Sequence, residues 1–181
     1  MEILSTAGVH DLGGEDFTDA ILSWVLKQKN IYLERAELQM PKFIAKLKDL
    51  CNQAKINLSD QDSVSIKIPD KEGHLLPESE VIGLTQQIFE EICSSLTRRI
   101  DEPFNRAIRD SGLNIKEIDE VILAGGATRM SLINKYLLTN CNVKPKMHSN
   151  PDYVVALGAA IQAAMIENDH SVDDLVMTDI C

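Results

Sequence analysis

Apolar residues recur at helical spacing in three long stretches of the chain. The first stretch runs from about residue 15 to 28 and opens on an acidic pair, which favours the positive end of a helix dipole. The second begins at residue 33 or 40 and ends near 58. A third helix is predicted over 79–109, with a kink at Pro103 because proline removes a backbone donor, and with Gly112 as its C-cap.

Other segments show the shorter pattern of strands. Ser63–Pro69 alternates apolar and polar residues, and His74–Leu76 is placed to return as the second strand of a hairpin. Glu2–Ala7 and the apolar run Val121–Ala124 each end at a glycine turn, and Val121–Ala124 has the composition of a strand buried in a sheet. Lys144–His148 is a further candidate strand.

The last third of the chain predicts two more helices and a tail. One helix is expected over Ser131–Leu138, and Asn150–Asp152 caps another over Tyr153–Ile166. Alanine and other small residues dominate that last helix, so we expect it to pack closely against a sheet or a neighbouring helix. Residues 171–181 alternate acids with apolar residues and are interpreted as a linker that can dock on its own domain or on a partner.

Composition and net charge disfavour several classes of partner and site. Apolar residues make up 44% of the 181 residues and charged residues 25%, which is ordinary for a globular protein. The net charge of −10 disfavours nucleic acid and anionic membranes as partners. Four widely spaced cysteines and four scattered histidines favour no metal site. Glu2 stands where a secretory signal has basic residues, so a cytoplasmic location is expected.

Two glycine turns that each follow a predicted strand and precede a helix are the main candidates for chemistry. They are Leu12-Gly13-Gly14-Glu15 and Ala124-Gly125-Gly126-Ala127-Thr128-Arg129. Glycine permits positive φ and lets backbone N–H groups approach a phosphate. A single Gly-Gly turn is more often only a tight connection. Neither turn has the pattern of a P-loop or of a Rossmann phosphate loop.

Five motifs taken together are more specific. In order they are S-T-A-G, L-G-G-E-D-F, V-I-L-A-G-G-A-T-R, N-P-D-Y-V-V-A-L-G-A-A-I-Q-A-A and D-L-V-M-T-D. In order and spacing, this set resembles the second lobe of the ATP-binding domain of DnaK-type chaperones, the heat-shock protein 70 family, over nearly the whole chain. The V-A-L-G-A-A-I-Q-A-A segment and the T-D-I-C end resemble the HscC branch of that family.

The resemblance implies a fold and a division of the chain. The fold is α/β, an actin-like ATPase (ribonuclease H-like) half-domain with an inserted helical subdomain that carries a β-hairpin. Residues 1–15 and 110–170 would form the sheet-and-helix subdomain, similar to the family's IIA. Residues 16–109 would form the inserted subdomain, similar to IIB, and residues 171–181 the interdomain linker.

It also implies which residues face the nucleotide. The two glycine turns do so in the family, together with a stretch of the long helix, the residue after the second turn, and the aspartate of N-P-D. In this sequence the positions are Gly13, Gly14, Glu15, Asn52, Lys55, Ser59, Gly125, Gly126, Ala127, Arg129, Met130 and Asp152.

Three positions depart from the family's pattern. Asn52 replaces a glutamate and Ile56 an arginine, so one acceptor charge and one guanidinium that could stack on adenine are lost. Ala127 replaces a serine of the second turn. We therefore expect weaker nucleotide binding through this lobe than in a typical member.

The function implied for the intact protein is ATP hydrolysis, with Mg²⁺ and ATP or ADP as cofactors, coupled to cycles of binding and release of unfolded client proteins. J-domain co-chaperones and nucleotide exchange factors are the expected partners. The first lobe and a D-L-G-G-G-T loop that the family's catalysis needs do not occur in this sequence. The chain alone is therefore expected to be a catalytically inactive fragment, with no catalytic residue of its own.

Two alternatives stay open at this point. The lobe could serve chiefly as a protein-docking module for exchange factors, co-chaperones or its own linker. It could also belong to a sugar kinase or to an actin-like filament protein of the same superfamily. The acidic, apolar end and the L-G-G-E-D-F turn favour a chaperone over a kinase.

Overall fold

The structure, a computed structural model, describes residues 2–141, 145 and 153–167. The helices are α1 (Gly14–Gln28), α2 (Leu33–Gln39), α3 (Pro41–Asn57), α4 (Gln86–Ile92), α5 (Ser94–Arg98), α6 (Asp101–Ser111), α7 (Ser131–Cys141) and α8 (Val154–Ile166). Two strands, β1 (Ser63–Lys67) and β2 (Val81–Thr85), form an antiparallel pair, and 3₁₀ turns cover Ile115–Glu117 and Gly126–Arg129.

Chain contacts divide these residues into two compact units. The first, here the hairpin unit, comprises Asp11–Arg98 and Met130–Leu132 and contains α1 to α5 and both strands. The remaining described residues form the second, here the three-segment unit, which contains α6, α8 and most of α7.

The core of the hairpin unit lies between α1, α3, the strand pair and α4. Helix periodicity places apolar side chains of α1 and α3 on facing sides, and Phe17 of α1 contacts Phe89 of α4 with ring centroids 6.4 Å apart. Its buried apolar side chains include Phe17, Ile21, Leu22, Val25, Leu26, Phe43, Ile44, Leu47, Cys51, Ala54, Val64, Ile66, Leu84, Phe89 and Cys93.

The three-segment unit has a smaller apolar cluster. Leu123, Leu137 and Cys141 are its buried members, and partly buried Phe104, Ile115, Val121, Ile133 and Tyr136 pack against them. The Tyr136 hydroxyl donates a 2.8 Å hydrogen bond to Asp101, which ties α7 to the start of α6. Within this unit α8 has no buried residue among those described, which corrects the expectation that its small residues pack closely.

The predicted helices α1 and α7 are confirmed, and so is the long second helix, which is divided at Met40 because Pro41 begins α3. The predicted first strand of the hairpin is also confirmed as β1. Gly112 ends α6 in the left-handed conformation, φ 72°, as predicted for a C-cap.

The prediction for the hairpin's return strand is wrong. His74–Leu76 lies in the connection, and β2 returns instead, with Val64 opposite Leu84 and Ile66 opposite Ile82. The predicted helix over 79–109 is therefore wrong at its start. Its remainder is three helices, with breaks at Cys93 and at residues 99–100. Pro103 therefore lies in the first turn of α6, where proline is tolerated.

Two other predicted strands are not formed. Glu2–Ala7 and Val121–Ala124 contain only isolated bridge residues, Glu2 and Ile122, and Ile122 is 61% exposed. A strand needs continuous pairing of its backbone groups, which these segments lack among the described residues. The predicted strand at 144–148, the cap at 150–152 and the tail at 171–181 lie outside the described residues.

Asn30 ends α1 in the left-handed conformation, with φ 53°. Its N–H donates to the Lys27 carbonyl at 3.1 Å, and the Ile31 N–H donates to the Leu26 carbonyl at 2.9 Å. This pair of bonds is the Schellman arrangement, in which the residue at this position needs positive φ. The turn that follows α1 is thereby fixed by backbone geometry.

We expect Asn30→Val to lower the free energy of unfolding by about 1–2 kcal/mol, because a β-branched residue is strained at positive φ. Asn30→Gly should change it by less than about 0.5 kcal/mol, because glycine adopts this conformation freely. Urea unfolding followed by the fluorescence of Trp24, the one tryptophan and a residue of α1, measures both variants. Equal midpoints for the two variants would contradict the assignment.

Candidate functional site

The first glycine turn begins α1. The Gly13 N–H donates to the Asp16 carboxylate at 2.7 Å, and the Asp16 N–H returns a bond to the Gly13 carbonyl at 3.2 Å. These bonds satisfy backbone groups at the start of the helix. Gly13 itself is extended, with φ −150° and ψ −175°, so the turn does not use the positive φ that glycine allows. The absence of a Cβ leaves open space beside it.

Lys55, on α3, joins the long helix to this turn. Its Nζ donates to the Gly14 carbonyl at 2.7 Å and to the Thr18 hydroxyl at 2.7 Å. Lys55 is only 9% exposed and Thr18 is fully buried. Thr18 in turn lies 3.2 Å from the Gly14 carbonyl and 3.5 Å from Asn52 Oδ1, both within hydrogen-bond reach of its hydroxyl. The structure thus brings Gly14 of the first turn together with Asn52 and Lys55 of α3, and Thr18 completes the cluster.

Burial sets the electrostatics of this cluster. Desolvation lowers the pKa of Lys55 below its usual range, and the carboxylates of Glu15 and Asp19 oppose that shift. Those two carboxylates pair with Lys48 at 3.3 Å and 2.7 Å, and the hydrogen bond to Asp19 raises the pKa of Lys48. The cluster is therefore a buried ammonium on neutral acceptors, with an ion-pair network on its exposed side.

Of the other residues predicted in this stretch, Asn52 belongs to the cluster and Ser59 lies just beyond the end of α3. Asn52 supplies the amide oxygen to Thr18, a contact that a glutamate at this position could also make. Ser59 follows the helix end, where its N–H donates to the Ile56 carbonyl at 3.1 Å. Ile56 points away from the core and is about half exposed. Ser59 comes four positions after Lys55, beyond the last residue of α3.

The second glycine turn does require glycine. Gly125 has φ 87°, a conformation that L side chains rarely adopt. Its carbonyl accepts from the Thr128 N–H at 3.1 Å and from the Thr128 hydroxyl at 2.6 Å, which closes the 3₁₀ turn Gly126–Arg129. Space beside Gly125 is open. Arg129 is exposed and Ala127 half-buried, whereas Met130 is only 3% exposed.

The two turns belong to different units, Gly13 and Gly14 to the hairpin unit and Gly125 and Gly126 to the three-segment unit. A cleft shared by both turns therefore stays a prediction, as do the ligand contacts of Met130 and Arg129. Asp152 lies outside the described residues.

Thr18 is the member of the cluster that sequence reasoning missed. It lies one turn after Gly14 and beside Phe17, on the face of α1 that Ile21 and Val25 predict to be buried. A hydroxyl on that face requires a buried partner. That mismatch between polarity and position is the signal that identifies it.

Two cavities of the structure lie away from this cluster. They measure about 530 and 390 Å³ and lie at the turn between α1 and α2. No residue predicted to face a nucleotide lines either of them. Within the described residues no group of three or more His, Cys, Asp or Glu side chains could hold a metal ion. The helices there are too short or too polar to span a membrane.

Comparison with models of known protein families finds a match over the whole of the sequence. The model described as Hsp70 protein matches residues 1–181. The match therefore includes both glycine turns and the segment of α3 that carries Lys55.

Proposed function

The chain belongs to the Hsp70 family, and we propose that it forms the second lobe of that family's actin-like ATP-binding domain. Hsp70 proteins are chaperones that bind ATP or ADP with Mg²⁺ and hydrolyse ATP. Membership sets aside the sugar-kinase and actin-filament alternatives. The proposal includes an α/β half-domain with a IIB-like insertion at 16–109. It also includes IIA-like segments at 1–15 and 110–170 and a linker at 171–181.

The contact between Lys55 and Gly14 is the observation that carries the proposal. A side chain from α3 and the backbone of the L-G-G-E turn meet at 2.7 Å, although 41 positions separate them. Both segments are ones that the family resemblance assigns to the nucleotide. Their meeting in one buried cluster supports a common ligand surface in the hairpin unit.

The residues present fit the nucleoside part of such a ligand. An ammonium group has three donors, and Lys55 uses two of them on Gly14 and Thr18. The third donor and the Ser59 hydroxyl would serve ribose hydroxyls. Gly125 and Gly126 would let backbone N–H groups approach phosphate oxygens. When bound, Mg²⁺ neutralises phosphate charge, and the described residues of this chain offer no carboxylate cluster for it.

This surface by itself would hold a nucleotide weakly. Asn52 carries no charge, and Ile56 cannot stack on adenine as a guanidinium does. Phosphoryl transfer needs groups that clamp the phosphates from both sides. We therefore propose that the chain binds nucleotide without hydrolysing it and that activity needs an opposing lobe. By family resemblance, the proposed partners are client proteins, J-domain co-chaperones and exchange factors. The same resemblance supports a cytoplasmic location and membership of the HscC branch.

Titration with Mg·ADP tests the proposal. At 5 mM nucleotide we expect less than about 1 kcal/mol of added stability, corresponding to a Kd near the millimolar range. The amide resonances of Gly14, Lys55 and Ser59 should shift, and ATP hydrolysis should stay at the buffer level.

Lys55→Met supplies the matched variant, because it keeps the buried stem and removes the donors. We expect it to abolish the nucleotide-dependent shifts, whereas Lys116→Met, at an exposed position in the three-segment unit, should leave them unchanged. An absence of shifts in the wild-type chain at 10 mM nucleotide would contradict the proposal. So would shifts that persist in Lys55→Met.

A further inference from the structure

The turn between α1 and α2 carries a surface that the nucleotide cluster does not use. The cavities of about 530 and 390 Å³ share Asn30, Ile31 and Tyr32, so they meet at this turn. The Tyr32 side chain is 79% exposed. We name the two joined cavities the Tyr32 groove.

The charged residues that line this groove are opposite in sign to the net charge of the chain. Three cations line it, Arg35 and Lys71 in the larger cavity and Lys27 in the smaller. Neither set of lining residues contains an aspartate or a glutamate, although the net charge of the chain is −10. In the described part of the molecule these three cations make no ion pair, and Arg35 only donates to Gln39 at 3.1 Å.

Three acidic residues of the connection between β1 and β2 have partners of their own. Glu72 pairs with Lys42 at 2.7 Å, and Glu80 pairs with Lys29. Asp70 accepts from the backbone N–H groups of Glu72 and His74 at 2.9 and 2.8 Å. Glu34 and Glu37, on α2 beside Arg35, line neither cavity and make no ion pair in the described part of the chain, so the three groove cations are left unpaired.

Apolar side chains form the inner surface. Phe43 and Ala36 are buried beneath the larger cavity, where Met40, Ile68 and Pro69 also contribute. Tyr32 presents most of its ring to solvent, and a large amphipathic ring of this kind is a frequent anchor at interfaces. Tyr32 follows the Schellman turn at Asn30, so the hydrogen bonds of that turn hold the backbone next to Tyr32 in place.

We propose that the Tyr32 groove binds a short acidic peptide segment of a partner protein, with an apolar side chain of that segment in the cavity. Charge complementarity selects the acidic flanks, and the apolar inner surface selects the anchor. The cations are divided between two cavities, Arg35 and Lys71 in one and Lys27 in the other, which suits carboxylates along a peptide better than one phosphate. A densely charged polyanion would be repelled by the rest of this acidic chain.

A fluorescein-labelled ten-residue peptide tests this, with four glutamates around a central leucine and phenylalanine. A twin peptide with glutamines in place of the glutamates measures the electrostatic part. By fluorescence anisotropy at low salt, we expect the acidic peptide to bind the full chain about tenfold more tightly than its twin. Arg35→Glu/Lys71→Glu and Tyr32→Ala should each weaken binding about tenfold.

Arg98→Glu/Lys116→Glu is the matched control, because it changes the net charge equally at exposed positions that do not line the groove. Equal weakening by this control would show attraction by net charge alone and overturn the proposal. Equal affinity for the two peptides would also overturn it. Displacement of the peptide by 10 mM inorganic phosphate at constant ionic strength would reassign the groove to small anions. Lys55→Met should leave peptide affinity unchanged, so this test is independent of the nucleotide site.

Discussion

Phe89→Ala will lower the free energy of unfolding of the hairpin unit by about 3–5 kcal/mol. Phe89 is 2% exposed and packs its ring against Phe17, where α4 meets α1. Truncation removes the buried apolar surface of the ring and leaves a cavity that the surrounding helices can close only in part. Because small domains are stable by about 5–15 kcal/mol in total, this single change removes a large share of that stability.

Urea unfolding followed by Trp24 fluorescence measures the effect, because Trp24 lies on α1 in the same unit. Tyr32→Ala is the control, since its ring is largely exposed and its loss should shift the free energy of unfolding by less than about 0.5 kcal/mol. A midpoint for Phe89→Ala equal to that of Tyr32→Ala would mean that α4 does not close this core.

Helices were predictable where one periodic face coincides with burial. In α1, Phe17, Ile21 and Val25 recur at the period of a helix, and all three are buried in the structure. The same argument holds for α3, whose apolar face packs against α1. In these elements the local pattern and the tertiary contacts favour the same conformation.

The β2 segment was misassigned because its pattern is ambiguous. Val81 and Leu84 are three residues apart, which fits a helix, but Ile82 and Leu84 are the inward residues of the strand. Pairing with β1 decides the conformation, since it places Ile82 opposite Ile66 and Leu84 opposite Val64, so that the inward residues of both strands share one face. Because the two strands are separated in sequence, a pattern read within one segment could not predict this pairing.

The sequence predicted individual residues of the candidate site but not the contacts between them. Motif resemblance identified Gly14 and Lys55 separately, and only the fold shows that one bonds the other. Thr18, which completes the contact, carries no motif and is recognised by its burial. The chemistry of glycine predicted one conformational role for both turns, whereas Gly125 has positive φ and Gly13 is extended.

Helix α3 carries two buried titratable groups. Lys55 and Cys51 are one turn apart on α3, and both are buried by α1 and its neighbours. Burial disfavours the charged form of each group, so it lowers the pKa of the amine and raises that of the thiol. The core that surrounds the Lys55 cluster therefore also determines how the hairpin unit responds to alkali.

Raising the pH from 8 to 10 will lower the free energy of unfolding of the hairpin unit by about 2–3 kcal/mol through its two buried thiols. Burial raises the pKa of Cys51 and of Cys93 from 9.0 to about 12, and both side chains are fully buried. The unfolded chain releases these protons near pH 9 while the folded chain keeps them. This stabilisation is therefore complete below pH 9 and is lost as the pH rises toward 12.

Cys51→Ala/Cys93→Ala isolates the effect, because it keeps Lys55, whose lowered pKa acts in the opposite direction. Between the folded pKa of Lys55 and 10.5 the unfolded chain binds more protons at that amine, so its contribution to stability increases with pH. Urea midpoints at pH 8, 9 and 10 should decrease steeply for the wild-type chain and much less for the double variant. Parallel pH profiles would show that the thiols ionise equally in both states, and hence that α3 and α4 do not exclude water from them.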